Sequence, residues 1–140
     1  MPQLLRLLSD QWTICEEPAT DWLNEDAWES GQSLQVGVDS EPSNNWLQAS
    51  AIAVEFPAFT DGRGLSLAVL LRTRLAYKRD LVARGDIHED ISHFLARCGF
   101  NVIELPDGRN VETALKWISP HRQHYQGSVV SPTPPFSEAL

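Results

Sequence analysis

Apolar residues in the middle of the chain follow the order strand, loop, helix three times over. Ala51-Ile52-Ala53-Val54-Glu55-Phe56 is a short apolar run of the kind that suits a buried strand. After the loop Pro57–Ser66, the residues Leu67, Ala68, Leu70, Leu71 and Leu75 recur at helical spacing. They predict a helix from Leu67 towards Tyr77, with Arg72 and Arg74 on its polar side or rim. Asp80-Leu81-Val82-Ala83-Arg84 predicts the next strand. Asp86, with Glu89 three residues on, is a variant of the capping box that satisfies orphan N–H groups at a helix start. Ile87, Ile91, Phe94, Leu95 and Cys98 then fall on one stripe, and Gly99 suits the left-handed position that ends such a helix. Asn101–Leu105 predicts a third strand, Pro106-Asp107-Gly108 a turn and Asn110 an N-cap. Val111, Ala114, Leu115 and Ile118 form a third helical stripe, limited by Pro120.

Three strand–helix units repeating every ~20 to 30 residues predict a parallel sheet with right-handed helical crossovers. Within the first fifty residues, Gln11–Cys15 reads as a short strand and Ala19–Glu29 as a helix with Trp22, Leu23 and Ala27 turned inward. Ser33–Val38 alternates like an edge strand, and Asn44–Ala49 reads as a short helix. The expected class is α/β: one domain over residues 1–126, built on a mostly parallel sheet of about four or five strands. Two sheet forms stay open, one doubly wound and one like half a barrel. The chain is too short for a complete eight-stranded barrel of about 250 residues. Residues 127–140, with Pro132, Pro134 and Pro135, read as a disordered tail.

Composition narrows the function classes. The 140 residues are 42% apolar and 21% charged, as in ordinary globular proteins. No apolar run approaches the roughly 20 residues of a membrane span. Arg6 interrupts the leucines of Met1–Leu8, and no small-residue cleavage site follows, which argues against a signal peptide. The net charge of −8 argues against nucleic-acid binding while leaving room for a local anion site. Cys15 and Cys98 form neither a disulfide framework nor a metal-ligand spacing, so the expected setting is reducing and cytoplasmic.

The chemistry concentrates after the predicted strands. In Asp61-Gly62-Arg63-Gly64, two glycines let a ligand approach the backbone, and a helix N-terminus follows. Arg63 has the fork to grip an oxyanion and Ser66 a hydroxyl to donate. The candidate ligand-binding residues are therefore Asp61, Gly62, Arg63, Gly64 and Ser66. The competing reading is a plain turn in which Asp61 and Arg63 pair locally. Asp61, Asp86 and His88 are candidates for acid–base work, because a parallel sheet would place the loops that carry them along one edge. Here too the plain alternative is that Asp86 caps its helix and His88 is solvated. The loop matches neither the phosphate-binding P-loop nor the Gly-x-Gly-x-x-Gly dinucleotide fingerprint, and no cofactor or metal motif is evident. Cys98 falls on an apolar stripe, which predicts a buried, inert thiol.

Phe59-x-Asp61-Gly62-Arg63-Gly64-x-Ser66, Leu70-Leu71-Arg72, Gly85-Asp86 and Arg97-Cys98-Gly99-Phe100 occur in one order at close spacing. Together they resemble an uncharacterised bacterial family. Its members are labelled a domain of unknown function, or an oxidoreductase involved in sulfite reduction. The resemblance runs over residues 30–125 and is strongest over 52–100. It implies an accessory protein of assimilatory sulfur metabolism acting with sulfite reductase, beside whose genes members' genes lie. It brings no established catalytic residues. A true oxidoreductase would need a cofactor to supply electrons. The alternative is a small enzyme or ligand-binding domain that holds sulfite, sulfate or phosphate at Asp61–Ser66. The chain departs from the family pattern at Leu65, where Tyr is usual, at Ala76, where Gly is usual, and at Ile91, where Gln is usual. It keeps Asp61, Arg63, Asp86 and Asp90.

Overall fold

A computed structural model describes residues 3–124, with side chains through Ile118. The chain opens with a hairpin, β1 (Gln3–Leu8) and β2 (Gln11–Glu16). Its two-residue turn, Ser9-Asp10, has φ of 49° and 69°, the positive values that match the twist of a tight hairpin. Then follow β3 (Leu23–Asn24), β4 (Leu34–Gly37), a 3-10 turn (Asn44–Gln48) and β5 (Ala51–Phe56). The remaining elements are α1 (Gly62–Thr73), β6 (Asp80–Gly85), a 3-10 turn (Glu89–Ile91), α2 (Ser92–Cys98), β7 (Val102–Glu104) and α3 (Val111–His124).

One seven-stranded sheet results, in the order β2-β1-β7-β6-β5-β4-β3. Strands β3 to β7 run parallel, and β1 is antiparallel to both β2 and β7. The parallel part thus has five strands, and the hairpin adds two beyond the four or five expected. Each new parallel strand is laid on the same side of the last. With right-handed crossovers, every helix then falls on one face. This is the strand order of a half barrel, not of a doubly wound sheet.

Side-chain alternation confirms the two faces. Leu5, Leu34, Ile52, Val54, Phe56, Leu81, Ala83 and Ile103 point into one buried cluster with Leu67, Leu71, Leu95, Ala114 and Ile118 of the helices. Each fully buried Leu, Ile, Val or Phe among them contributes about 1.5–3 kcal/mol. The opposite face carries a small cluster of Leu4, Ala53, Val82 and Val102, with Trp22 packed on it. The segment after β2 starts at one sheet edge and must reach β3 at the other. It crosses this helix-free face, with Glu17 bound to Arg6 and Trp22 lying over the small apolar cluster.

Several local expectations are corrected. Residues 19–29 form no helix. Trp22 is drawn to the sheet, and only Leu23–Asn24 pair, parallel to β4. Strand β1 lies outside the elements the apolar pattern predicts, because Leu4 and Leu5 break the alternation. Both are buried because the two faces each carry an apolar cluster. Pro120 does not limit α3, which runs on to His124. The expected tail, residues 127–140, lies outside the described residues.

Arg72 is the largest correction. It lies inward at the amino end of the sheet, not on a polar rim. Its Nε donates to Gly99 O at 2.9 Å, and its Nη1 to Tyr77 O and Arg79 O at 2.8 Å each. Nη2 donates to Asn101 Oδ1 at 3.2 Å. Gly99 has φ of 118°, and a Cβ there would stand 2.6 Å from Arg72 Cγ, so both conformation and space require glycine. Burial pulls the Arg72 guanidinium down to about 10, so it stays charged at neutral pH. We expect Arg72→Met and Arg72→Lys each to destabilise the protein by about 2–4 kcal/mol in urea unfolding, because either change strands partly buried carbonyls and the Asn101 side chain. Equal stability of Arg72→Lys and wild type would show that the fork is dispensable.

Candidate functional site

The glycine loop after β5 is built around its own carboxylate. Asp61 is the N-cap of α1, and its side chain accepts from Arg63 N at 3.1 Å. The Arg63 fork closes on the same carboxylate, Nε to Oδ1 at 2.9 Å and Nη2 to Oδ2 at 2.7 Å. These bonds, the side-chain pair first, hold the Asp61 carboxyl below the usual carboxylate range. Donors that sequence reasoning offered to an oxyanion therefore already face Asp61, and an incoming anion would have to displace it. The Arg63 side chain is still 61% exposed. Gly62 is exposed with open space where a Cβ would go. Gly64 is buried, and a Cβ there would lie 2.4 Å from the Phe56 ring. Packing alone accounts for Gly64. Ser66 is exposed on α1.

The second group of candidates meets at the loop after β6. Asp86 is not a helix cap. Its Oδ2 accepts from Phe59 N at 3.4 Å, and α2 begins only at Ser92. Glu89 does not close a capping box either. It reaches across to the start of α3, accepting from Asn110 N at 2.7 Å and from Arg109 Nη1 at 3.2 Å. The Asn110 N–H is the main reason the Glu89 carboxyl sits below its usual range. Asn110 itself caps α3 as expected, accepting from Thr113 N at 3.0 Å. His88 stacks on Phe59 with ring centroids 3.6 Å apart and planes 12° apart. Its Nε2 lies 3.2 Å from Asp86 Oδ1 and 3.0 Å from Arg109 Nη2. The fold thus joins Asp86 and His88 to Phe59, Glu89 and Arg109, while Arg63 pairs with Asp61. Arg109 had no distinguishing sequence signal, since the turn that carries it looks ordinary.

A third group was missed altogether. One register row crosses the helix-free face through Leu4, Glu104, Arg84, Glu55 and Gly37. Arg84 Nη1 donates to Gln35 Oε1 at 2.6 Å and lies 3.7 Å from Glu55 Oε1. Its Nη2 reaches Glu104 Oε2 at 3.4 Å. The Trp22 ring lies 5.9 Å from the guanidinium carbon. A legible signal existed, for Glu55, Arg84 and Glu104 are the last residues on that face of three consecutive strands. Both this row and the loop groups lie towards the carboxyl ends of the parallel strands, where α/β sheets place their ligands.

The remaining features are local. Cys98 is half-buried, and burial pushes its thiol up, as the apolar stripe implied. Phe94 of that stripe is instead exposed. Trp12 and Trp46 are core residues, and Trp117 is exposed. No group of three or more His, Cys, Asp or Glu that could hold a metal ion occurs among the described residues. No described helix is long and apolar enough to cross a membrane.

Strand order, a self-capped glycine loop and ion-paired carboxyl-end loops define an α/β protein wound in one direction. A family model described as "Bacterial protein of unknown function (DUF934)" matches residues 34–136, and the chain belongs to that family. The match begins at β4, so the β1–β2 hairpin and β3 lie outside it. No curated protein and no solved structure matches the chain.

Gly64→Ala is expected to lose about 1–3 kcal/mol in thermal or urea unfolding, because the methyl enters the Phe56 ring. The loss should shrink in a Phe56→Leu background, and equal losses in both backgrounds would refute the clash. The Glu89 carboxyl is lower in the folded state than in the unfolded chain. Its stabilisation is therefore full above the usual carboxylate range and fades as pH falls through the folded value. We expect Glu89→Gln to make the loss of stability below about pH 5 shallower. An unchanged acid limb would show that the Asn110 contact is not linked to folding.

Proposed function

We propose that this protein is an accessory component of assimilatory sulfur metabolism that works by binding sulfite reductase. The pathway rests on the motif resemblance, and the mode of action on the helical layer. Val69 of α1, Phe94 of α2 and Trp117 of α3 are 40%, 45% and 42% exposed. A sheet wound in one direction puts these three helices on one side, where α2 packs against both α1 and α3. Aromatic anchors ringed by polar residues are the usual energetic centre of a protein–protein interface.

A second reading places sulfite, sulfate or phosphate at Asp61–Ser66. It is favoured by the exposure of the Arg63 guanidinium at the start of α1. In that reading Asp61 is a gate that an anion must open. Asp61→Asn should then tighten anion binding, and Arg63→Ala should abolish it.

Sedimentation of the full chain with sulfite reductase from the same organism tests the first reading. A complex is expected, at least tenfold weaker for folded Phe94→Ser and Trp117→Ser, about 1.4 kcal/mol or more each. Absence of a complex at tens of micromolar, or wild-type affinity in both variants, would remove the partner reading.

A further inference from the structure

His88 Nε2 lies between a group that can only donate and one that can only accept. Arg109 Nη2 stands 3.0 Å away, and a guanidinium has no acceptor. Asp86 Oδ1 stands 3.2 Å away, and an ionised carboxylate has no donor. One ring nitrogen carries either a lone pair or a proton, so it can satisfy only one of the two at a time.

Each partner belongs to a different loop. Asp86 is bound through its other oxygen to Phe59 N, in the loop between β5 and α1, and the Phe59 ring covers the imidazole. Arg109 belongs to the loop between β7 and α3, where Glu89 holds both its Nη1 and the Asn110 N–H. We propose that His88 is a proton-operated clamp among the three loops at the carboxyl ends of β5, β6 and β7. With a lone pair on Nε2, it accepts from Arg109 and ties its own loop to the one before α3. With a proton on Nε2, it donates to Asp86 and strengthens the tie to the Phe59 loop. Arg109 is then held by Glu89 alone.

The charges agree with this exchange. The groups facing the imidazole are Asp86 from its own loop and Arg109 from the loop before α3, with Glu89 behind Arg109. The loop before α1 contributes the uncharged Phe59 ring. A protonated imidazole 3.0 Å from a guanidinium is a like-charge contact, which drives Arg109 away. The same cation is attracted by Asp86 and tolerated by the aromatic face. Any ligand or partner that touches these loops would bind in a pH-dependent manner.

Nitrogen-15 NMR of the histidine rings in the full chain tests the clamp, with His88→Gln to assign the signals. At about pH 8 the neutral wild-type ring should carry its proton on Nδ1, leaving Nε2 as the acceptor for Arg109. In Arg109→Met the tautomer should reverse to Nε2–H, donating to Asp86, while Asp86→Ala should keep the wild-type tautomer. Between about pH 8 and pH 5 the Arg109 guanidinium and Asn110 amide signals should move in wild type and stay still in His88→Gln. An Nε2–H tautomer in wild type at the higher pH would overturn the clamp. So would an unchanged tautomer in Arg109→Met, or Arg109 signals indifferent to His88.

Discussion

The Arg72 guanidinium is the constraint on which the amino end of the sheet depends. Its donors collect carbonyls from the turn after α1 and from the end of α2, together with the side chain of Asn101. Asn101 passes the connection on. It accepts from Leu81 N, donates to Asp80 Oδ1, and offers its carbonyl to Leu7 N. Asp80 then pairs with Arg6 of β1, and Arg6 pairs with Glu17 of the segment crossing the open face. One continuous polar chain therefore fixes α1, α2, β6, β7 and the hairpin relative to each other. Removing any member leaves half-buried partners unsatisfied, so such a network acts as a unit. Tyr77 extends it towards β5, its hydroxyl donating to Ala49 O at 3.0 Å. Burial pushes that hydroxyl up to about 12, and it remains a donor throughout the ordinary pH range.

The carboxyl end is organised differently. Its ion pairs, Asp61–Arg63, Asp86–His88 and Glu89–Arg109, join short loops, and each has one partner open to solvent. Exposed pairs contribute little to stability and can be exchanged at little cost. A rigid amino end and an exchangeable carboxyl end are what a sheet needs if its loops are to bind or respond. Singly wound topology adds a further asymmetry. One sheet face is sealed by helices, and among the described residues the other is crossed by a strap anchored at Glu17 and Trp22. The charged row Glu104–Arg84–Glu55 remains beside that strap.

Much of this was legible in the chain. Strands β5, β6 and β7 and helices α1 and α3 follow from apolar spacing, and the Gly99 terminator and Asn110 cap from residue chemistry. The family resemblance rests on loops and helix ends that the fold brings to both ends of the sheet. Asp86 and His88 stand out in the sequence as candidates, but Asp86 does not cap a helix. Asp86 looked like a cap because Glu89 stood three residues on. A loop residue 27 positions earlier, Phe59, supplies its actual N–H partner. Arg109 gave no local signal, because its partners Glu89 and His88 lie 20 and 21 positions away.

The sequence by itself determined the α/β class, the direction of the strand–helix units, and the helix ends at Gly99 and Asn110. These depend on side-chain periodicity and backbone sterics, which act over a few residues. Only the tertiary structure decided that Arg72 lies inward, that Trp22 joins the open face and not a helix, and that Arg63 closes on Asp61. Each of these is a competition among polar partners for one guanidinium, or among apolar surfaces for one ring. The outcome depends on which groups the sheet brings within about 3 Å, and that distance is set by strand order, which no single segment of the chain encodes.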